Sequence, residues 1–342
     1  MQYIRINWYM RCDYLKTVYI FGAGASAAEG APVLRDFLKI AYQYFKEEHY
    51  SPDLDIVWEF LEHFYGSKTK INHAEDLEKF PGLGEIFNIV DWSLLQSQAF
   101  STRFSRPRLH ELKTALVKLI SMTLDKSIPS HHGIHQSFVS GVVMNGEELP
   151  TFISLNYDIV LDNAIRSTCC APEYGFYGSH LDHLERRGKI PLYKLHGSLN
   201  WSFCPLCGEI SEHDVKVAHL LFKDRYSISC LNCGGDNSQA IIIAPTLYKS
   251  YGISRLLNIW DCAGKSISLS DRLIFIGYSL APADTSIIAM IKRALNAPDK
   301  RREIVVINPS EQACNRYKMI FGENCRVVCE EFTGEESQQC KG

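Results

Sequence analysis

The sequence predicts an α/β protein: a Rossmann-like doubly wound parallel sheet with a large helical insertion and a small module built on paired cysteines. Three observations predict it. The apolar run Val18 to Phe21 ends in Gly22 and Gly24 and passes straight into a helix-compatible segment, the strand–turn–helix order of a phosphate-binding loop. Further short apolar runs recur at Thr151–Leu155, Leu192–Leu195, Ala240–Ala244, Arg272–Ile276, Glu303–Ile307 and Arg326–Cys329. Continuous apolar runs of that length belong to strands covered on both faces. The third observation is the spacing Cys204-x-x-Cys207 and Cys230-x-x-Cys233.

At the first run, Gly22 and Gly24 let a backbone approach an anion with no Cβ between. Many βα turns carry two glycines for tightness alone, and the G-x-G-x-x-G spacing is not met, because the third position is Ala27. Val33 to Glu48 reads as an amphipathic helix. From there to about residue 148 the pattern stays helical, with apolar residues at three- and four-residue intervals in Ile56–Phe64, Gly84–Phe100 and Arg108–Leu124. Roughly a hundred residues are too many for a simple crossover, so 37–148 reads as a helical insertion. Residues 1–36 and 149–332 then form the main domain, with 200–240 as the cysteine module inside it. Helices are expected at Ile287–Leu295 and Glu311–Ile320 between the later strands, and 333–342 as a polar tail.

The 342 residues, 46% hydrophobic and 22% charged, suffice for a sizeable core. The net charge of −3 gives no overall nucleic-acid footprint. Local basic clusters (Arg103, Arg106 and Arg108; Arg186, Arg187 and Lys189; Lys300 to Arg302) are explained as well by solvated faces. No apolar run is long enough for a membrane span, and the polar-interrupted start is a poor signal peptide. Twelve cysteines in such a chain suggest a reducing, cytoplasmic setting, where paired cysteines mean metal more often than disulfide. Two knuckles separated by 22 residues fit one tetrahedral zinc held by Cys204, Cys207, Cys230 and Cys233, in a zinc-ribbon module. Four thiolates leave no open coordination position, so that zinc is structural. The bland reading, four unpaired reduced cysteines, is disfavoured by the turn residues Pro205, Gly208 and Gly234.

Two more polar segments follow predicted strands, where open α/β sheets place ligands: Ser154-Leu155-Asn156-Tyr157-Asp158 and Lys194-Leu195-His196-Gly197-Ser198. Alone, the first reads as an Asx turn and the second as a structural histidine. In order with the glycine loop and the cysteine pairs, they resemble the motifs of the sirtuins. The run Gly22, Ala23, Gly24, Ser26, Gly30, Pro32, Arg35 is similar to the first NAD-binding segment of that family. Leu155 to Asp158 resembles its Gln-Asn-Ile-Asp and His196-Gly197 its His-Gly. Gly277-Tyr278-Ser279-Leu280 resembles its Gly-Thr-Ser-Leu, and Ile307-Asn308 its Ile-Asn. The likeness covers residues 17–36 and 150–310, not the helical stretch between.

That resemblance implies NAD as substrate. Gly22, Ala23, Gly24 and Ser26 would hold the pyrophosphate, and Gly277, Ser279 and Asn308 would surround the adenosine. Arg35 would touch phosphate or ribose, with a surface ion pair nearly as good an explanation. Asn156 would orient water or the ribose hydroxyls, His196 would be the general base, and Asp158 would meet the nicotinamide carboxamide. Three departures from the deacylase pattern matter. Leu155 replaces Gln, Val33-Leu34 replaces Asp-Phe, and the segment from Ile243 to Ser250 lacks the Val-x-Phe-Gly that binds acyl peptides. These changes look more like the sirtuin-like domains of prokaryotic antiviral defence systems, which hydrolyse NAD. The leading expectation is therefore an NAD glycohydrolase giving nicotinamide and ADP-ribose. A protein-lysine deacylase and a non-catalytic sensor of NAD or ADP-ribose are the alternatives. Control of such an enzyme implies a homo-oligomer and a defence partner such as a motor ATPase, meeting the aromatic-rich insertion. Neither a membrane nor direct nucleic-acid binding is expected.

Overall fold

The computed structural model describes residues 15–48, 50–65, 70–128, 133–145, 149–177, 188–218, 228–236, 238–244, 253–296, 302–322 and 325–335. Outside these lie Arg186, Arg187, Lys300 and Arg301 of the basic clusters, residues 245–250 of the segment after Ile243, and most of the polar tail. Within them, seven strands form one parallel sheet: β1 (Thr17–Phe21), β2 (Thr151–Ser154), β3 (Ala171–Glu173), β4 (Lys189–Lys194), β8 (Arg272–Ile276), β9 (Glu303–Ile307) and β10 (Cys325–Val328), in the order β10-β9-β8-β1-β2-β4-β3. The chain builds outward from β1 in one direction and then, from β8, in the other. Right-handed crossovers therefore put its helices on opposite faces, and the switch point falls between β1 and β8.

Apolar side chains on β1 face both ways. Tyr19 and Phe21 set their rings 5.4 and 5.8 Å from Phe138 of a helix at Gly133–Asn145, while Phe275 of β8 packs 5.0 Å from Tyr317 of another at Glu311–Phe321. Numbered along the chain, the helices are α1 (Ala23–Ala27), α2 (Phe37–Tyr42, continuing as a π-helical turn to Glu48), α3 (Asp55–Phe64), α4 (Leu83–Leu95), α5 (Arg106–Ser127), α6 (Gly133–Asn145), α7 (Val160–Arg166), α8 (Ser254–Leu269), α9 (Thr285–Leu295) and α10 (Glu311–Phe321). The helix expected from Val33 begins only at Phe37, after a turn. The one expected through Phe100 stops at Leu95, where Ser97 takes φ 56° and turns the chain.

Among the described residues, two apolar cores result. One lies on the sheet and includes Phe138, Val139 and Val142 of α6. The other, built by α2–α5, also takes in Ile159, Val160 and Leu199 from the sheet side. Trp58, Phe60 and Phe87 of the aromatic-rich segments are buried in it, whereas Trp92 and Leu95 of α4 stay half-exposed or more. Arg103 and Arg108 both pair with Glu59, an ordinary solvated arrangement.

The run at 240–244 departs from expectation. It supplies β7 (Gln239–Ile242), which pairs antiparallel with β5 (Gly197–Phe203) in a separate sheet of order β6-β5-β7, with β6 at Ile210–Glu212. An apolar run of four or five residues carries no information about strand direction. Among the described residues, no helix is long and apolar enough to cross a membrane.

The switch-point loops touch backbone to backbone. Gly277 has φ +60°, and a Cβ there would lie 2.1 Å from the Ala25 nitrogen; one on Gly22 would lie 2.5 Å from Tyr278 Cα. Gly24 N donates to Gly277 O at 2.9 Å. Gly277→Ala is expected to cost about 2–3 kcal/mol, combining left-handed strain with displacement of the facing loop. A thermal midpoint equal to wild type would contradict this packing.

Candidate active site and metal centre

One register row across the sheet places every motif. Phe21 pairs with Ser154, Ser154 with Lys194, Phe21 with Ile276, and Ile276 with Ile307. The residues next in chain are Gly22, Leu155, Leu195, Gly277 and Asn308, so all five polar segments leave the sheet at its carboxyl edge. The ladder carries each one residue further, through Leu155 N to Phe21 O, Leu195 N to Ser154 O and Gly277 N to Ile307 O.

Asn156 is fixed by its amide. Nδ2 donates to Gly22 O at 2.9 Å and to Ser26 Oγ at 2.8 Å. Both N–H groups are thereby engaged, and Oδ1 is left as an acceptor for a hydroxyl or water. His196 is buried, and its Nδ1 stands 3.0 Å from Leu155 O. A carbonyl only accepts, so Nδ1 carries the proton and Nε2 is the basic nitrogen. The Tyr157 ring lies 6.2 Å from the imidazole, and its hydroxyl donates to Ile243 O at 2.6 Å. Ile243 N in turn donates to His196 O at 2.8 Å.

Asp158 is 5% exposed, and Oδ1 accepts from Val160 N at 3.1 Å, closing the entry to α7. Asn308 is buried. Its Nδ2 donates to Tyr278 O at 3.1 Å, and its Oδ1 accepts from Ser310 N at 3.0 Å, which ties the loops after β8 and β9 together. Ser279 is exposed at the mouth of this pair, and its carbonyl accepts from Arg316 Nε at 3.0 Å. Ala23 opens α1 beside Gly22 and Gly24. Arg35 stands apart from this group: it is exposed in the turn before α2. There Lys39 first, and Arg35 to a smaller degree, hold the Glu78 carboxyl below its usual range.

The four cysteines converge. Their sulfurs all lie within 4.8 Å of one another, with Cys204–Cys233 and Cys207–Cys230 each at 3.6 Å. Tetrahedral thiolates around zinc at about 2.3 Å stand about 3.8 Å apart, so the donor set fits that ion. Each knuckle closes with a turn, Gly208 N to Cys204 O and Gly234 N to Cys230 O, both at 2.8 Å. A backbone amide at Glu209 draws the Cys207 thiol down to about 7. Cys233 also receives a backbone N–H, from Gly235, yet its sulfur neighbours push it up to about 12.

The structure also shows a polar group that motif reading passes over. Lys194 and Asp162 form an ion pair with no exposed side-chain surface. The available signal was a lysine inside the apolar run Leu192–Leu195, because a buried lysine requires a partner.

Fold and site together define a doubly wound α/β protein with polar segments gathered along the carboxyl edge of its sheet and a cluster of four cysteines. The profile of the SIR2-like domain matches residues 150–325, and the chain belongs to that family. Among solved structures, a Sir2 homologue in complex with ADP ribose is 16% identical, with a TM-score of 0.43, covering 96% of this chain and 90% of its own. A structure titled for the mechanism and regulation of Sir2 enzymes is 14% identical, with a TM-score of 0.46, covering 95% and 90%. A third, of Sir2 with a p53 peptide and NAD+, is 15% identical, with a TM-score of 0.39, covering 95% and 91%. Comparison with curated proteins finds no match.

Proposed function

We propose that the chain is an NAD+ glycohydrolase, cleaving the nicotinamide–ribose bond to give nicotinamide and ADP-ribose. The observation that carries the reading is the pairing of a histidine whose Nε2 is basic with an asparagine whose Oδ1 can only accept. Both follow neighbouring strands, β2 and β4, at the carboxyl edge of the sheet of a SIR2-like fold. Loss of nicotinamide leaves a cationic, oxocarbenium-like ribose, so the site's work is to hold the sugar and deliver water. His196 Nε2 takes the proton of that water or of a ribose hydroxyl, and Asn156 Oδ1 accepts the other hydrogen bond. Asp158, with Oδ1 on Val160, would meet the carboxamide through Oδ2. Gly22, Ala23, Gly24 and Ser26 would flank the pyrophosphate, with Ser279 and Asn308 at the adenosine end and Arg35 no nearer than the loop mouth.

Peptide independence is supported by the Ile243 backbone. Its N–H and C=O are engaged by His196 O and by the Tyr157 hydroxyl, where the deacylase resemblance would begin a peptide-binding segment. The four cysteines would hold a structural zinc. The test is incubation with NAD, with and without an acetylated peptide. Nicotinamide without peptide is the expected result. Nicotinamide only with peptide would make the protein a deacylase, and none in either arm would leave a sensor or an enzyme not yet activated.

The likeness to defence-system domains supports a role as an NAD-depleting effector, which needs restraint in its own cell. We expect that restraint to act through self-assembly or a defence partner on the helical layer, where Trp92 is 49% and Leu95 63% exposed. Light scattering across a concentration series, beside the nicotinamide assay, should show activity changing with assembly. A fully active monomer at all concentrations would exclude that control.

A further inference from the structure

Asn156 and His196 account for the chemistry but not for the buried ammonium between the strands that carry them. Lys194 is the last residue of β4, and its Nζ donates to Asp162 Oδ2 at 2.9 Å and to the carbonyl oxygen of Asp158. Asp162 Oδ1 accepts from the Tyr174 hydroxyl at 2.5 Å. That hydroxyl lies 3.5 Å from Glu212 Oε1, which pairs with Arg166. Burial first, then the charges of Asp162 and Glu212, pushes the Tyr174 phenol far above its ordinary range, so it stays a donor.

Stability does not require such a pair, since well-packed apolar residues of similar volume serve as well or better. What the pair supplies is position. His196 Nδ1 holds Leu155 O, and Lys194 Nζ holds Asp158 O, so two residues of one chain turn grip the two ends of the loop 155–158. Between them, Leu199 N donates to Tyr157 O at 2.8 Å. Asn156 sits inside that grip.

We infer that Lys194, oriented by Asp162 and Tyr174, is a positioning residue that fixes Asn156 relative to His196. The inference deepens the hydrolase reading and rests on it for its kinetic readout. The test is the double variant Lys194→Met with Asp162→Asn, which removes both charges together and leaves Tyr174 an acceptor. With NAD as substrate, kcat should fall about 100-fold, the scale of a misplacement of about 1 Å, while KM changes less than about threefold. The melting midpoint should stay near wild type, and amide exchange should rise about tenfold at 155–163 but not in β1 or β8.

Wild-type kcat with unchanged exchange at 155–163 would overturn the inference. So would a kcat loss accompanied by faster exchange everywhere, which marks a purely structural role. Should the double variant not fold, Tyr174→Phe removes the hydroxyl that orients Asp162 and leaves the two charges paired. A drop in kcat of about fivefold with faster exchange confined to 155–163 then supports the assignment, and no change in either overturns it. If the wild type releases no nicotinamide, the kinetic readout is lost. The exchange pattern then decides the clamp by itself: a local rise supports it, and none overturns it.

Discussion

Replacing His196 by asparagine should lower nicotinamide release from NAD by about a hundred- to ten-thousand-fold, the usual contribution of a general base. Asparagine suits the test better than alanine. Its Nδ2 falls where the histidine Nδ1 stands and can still donate to Leu155 O, the 3.0 Å contact that orients the ring. The carbonyl keeps its partner, so the cost of an orphaned buried acceptor, about 1–3 kcal/mol, is avoided. What disappears is the basic nitrogen. The melting midpoint should therefore hold while the rate collapses. Asn156→Ala should lose a comparable factor by another route, since it removes the Oδ1 acceptor and also frees Gly22 O and Ser26 Oγ. Turnover near wild type in either variant would show that the residue has a different role.

The second large effect concerns the metal. Purified protein should contain about one zinc per chain, as four converging thiolates require. Structural zinc contributes about 10–16 kcal/mol of apparent binding energy in small isolated sites, so stripping it should unfold the small sheet. Cys204→Ser and Cys230→Ser should lower soluble yield more than the same change at Cys207 or Cys233. Cys204 and Cys230 are buried residues, 2% and 4% exposed, whereas Cys207 and Cys233 are exposed. Acidification should release the ion, because each ligand must be a thiolate to bind. The loss should reach catalysis indirectly, since Cys204 follows β5 and His196 precedes it. A metal-free preparation with an unchanged melting midpoint would refute the assignment.

The frame of the sheet was legible because its strands are apolar runs that stop at polar segments. Arg272–Ile276 and Glu303–Ile307 are strands over the residues expected. The segments at Gly22, Leu155, His196, Gly277 and Asn308 fall on one edge because a parallel sheet aligns all its carboxyl ends. Strand β5 was harder to see. Leu199, Trp201 and Phe203 alternate with Ser198, Asn200 and Ser202, a period-two signal, but the segment lies between a histidine motif and a cysteine pair, which draw attention first. Helix α8 shows Leu256, Ile259, Cys262, Ala263 and Ile267 at helical spacing, all buried, yet no cap or motif marks its ends. The Lys194–Asp162 pair joins residues 32 apart and becomes visible only once β4 and α7 are folded together.

The central strand carries a consequence for synthesis. β1 is made first, yet one of its two neighbours is β8, paired from Thr17↔Arg272 to Phe21↔Ile276. Contacts so distant in sequence form late, and a chain emerging from the ribosome cannot make them until residues 272–276 have been translated. The glycine loop after β1 rests on Gly277, so its final shape also waits for that segment. A nascent chain halted before β8 would carry Asn156 and His196 but lack Gly277, on which the loop after β1 rests. On the hydrolase proposal, a chain that stops before β8 is expected to release no nicotinamide from NAD.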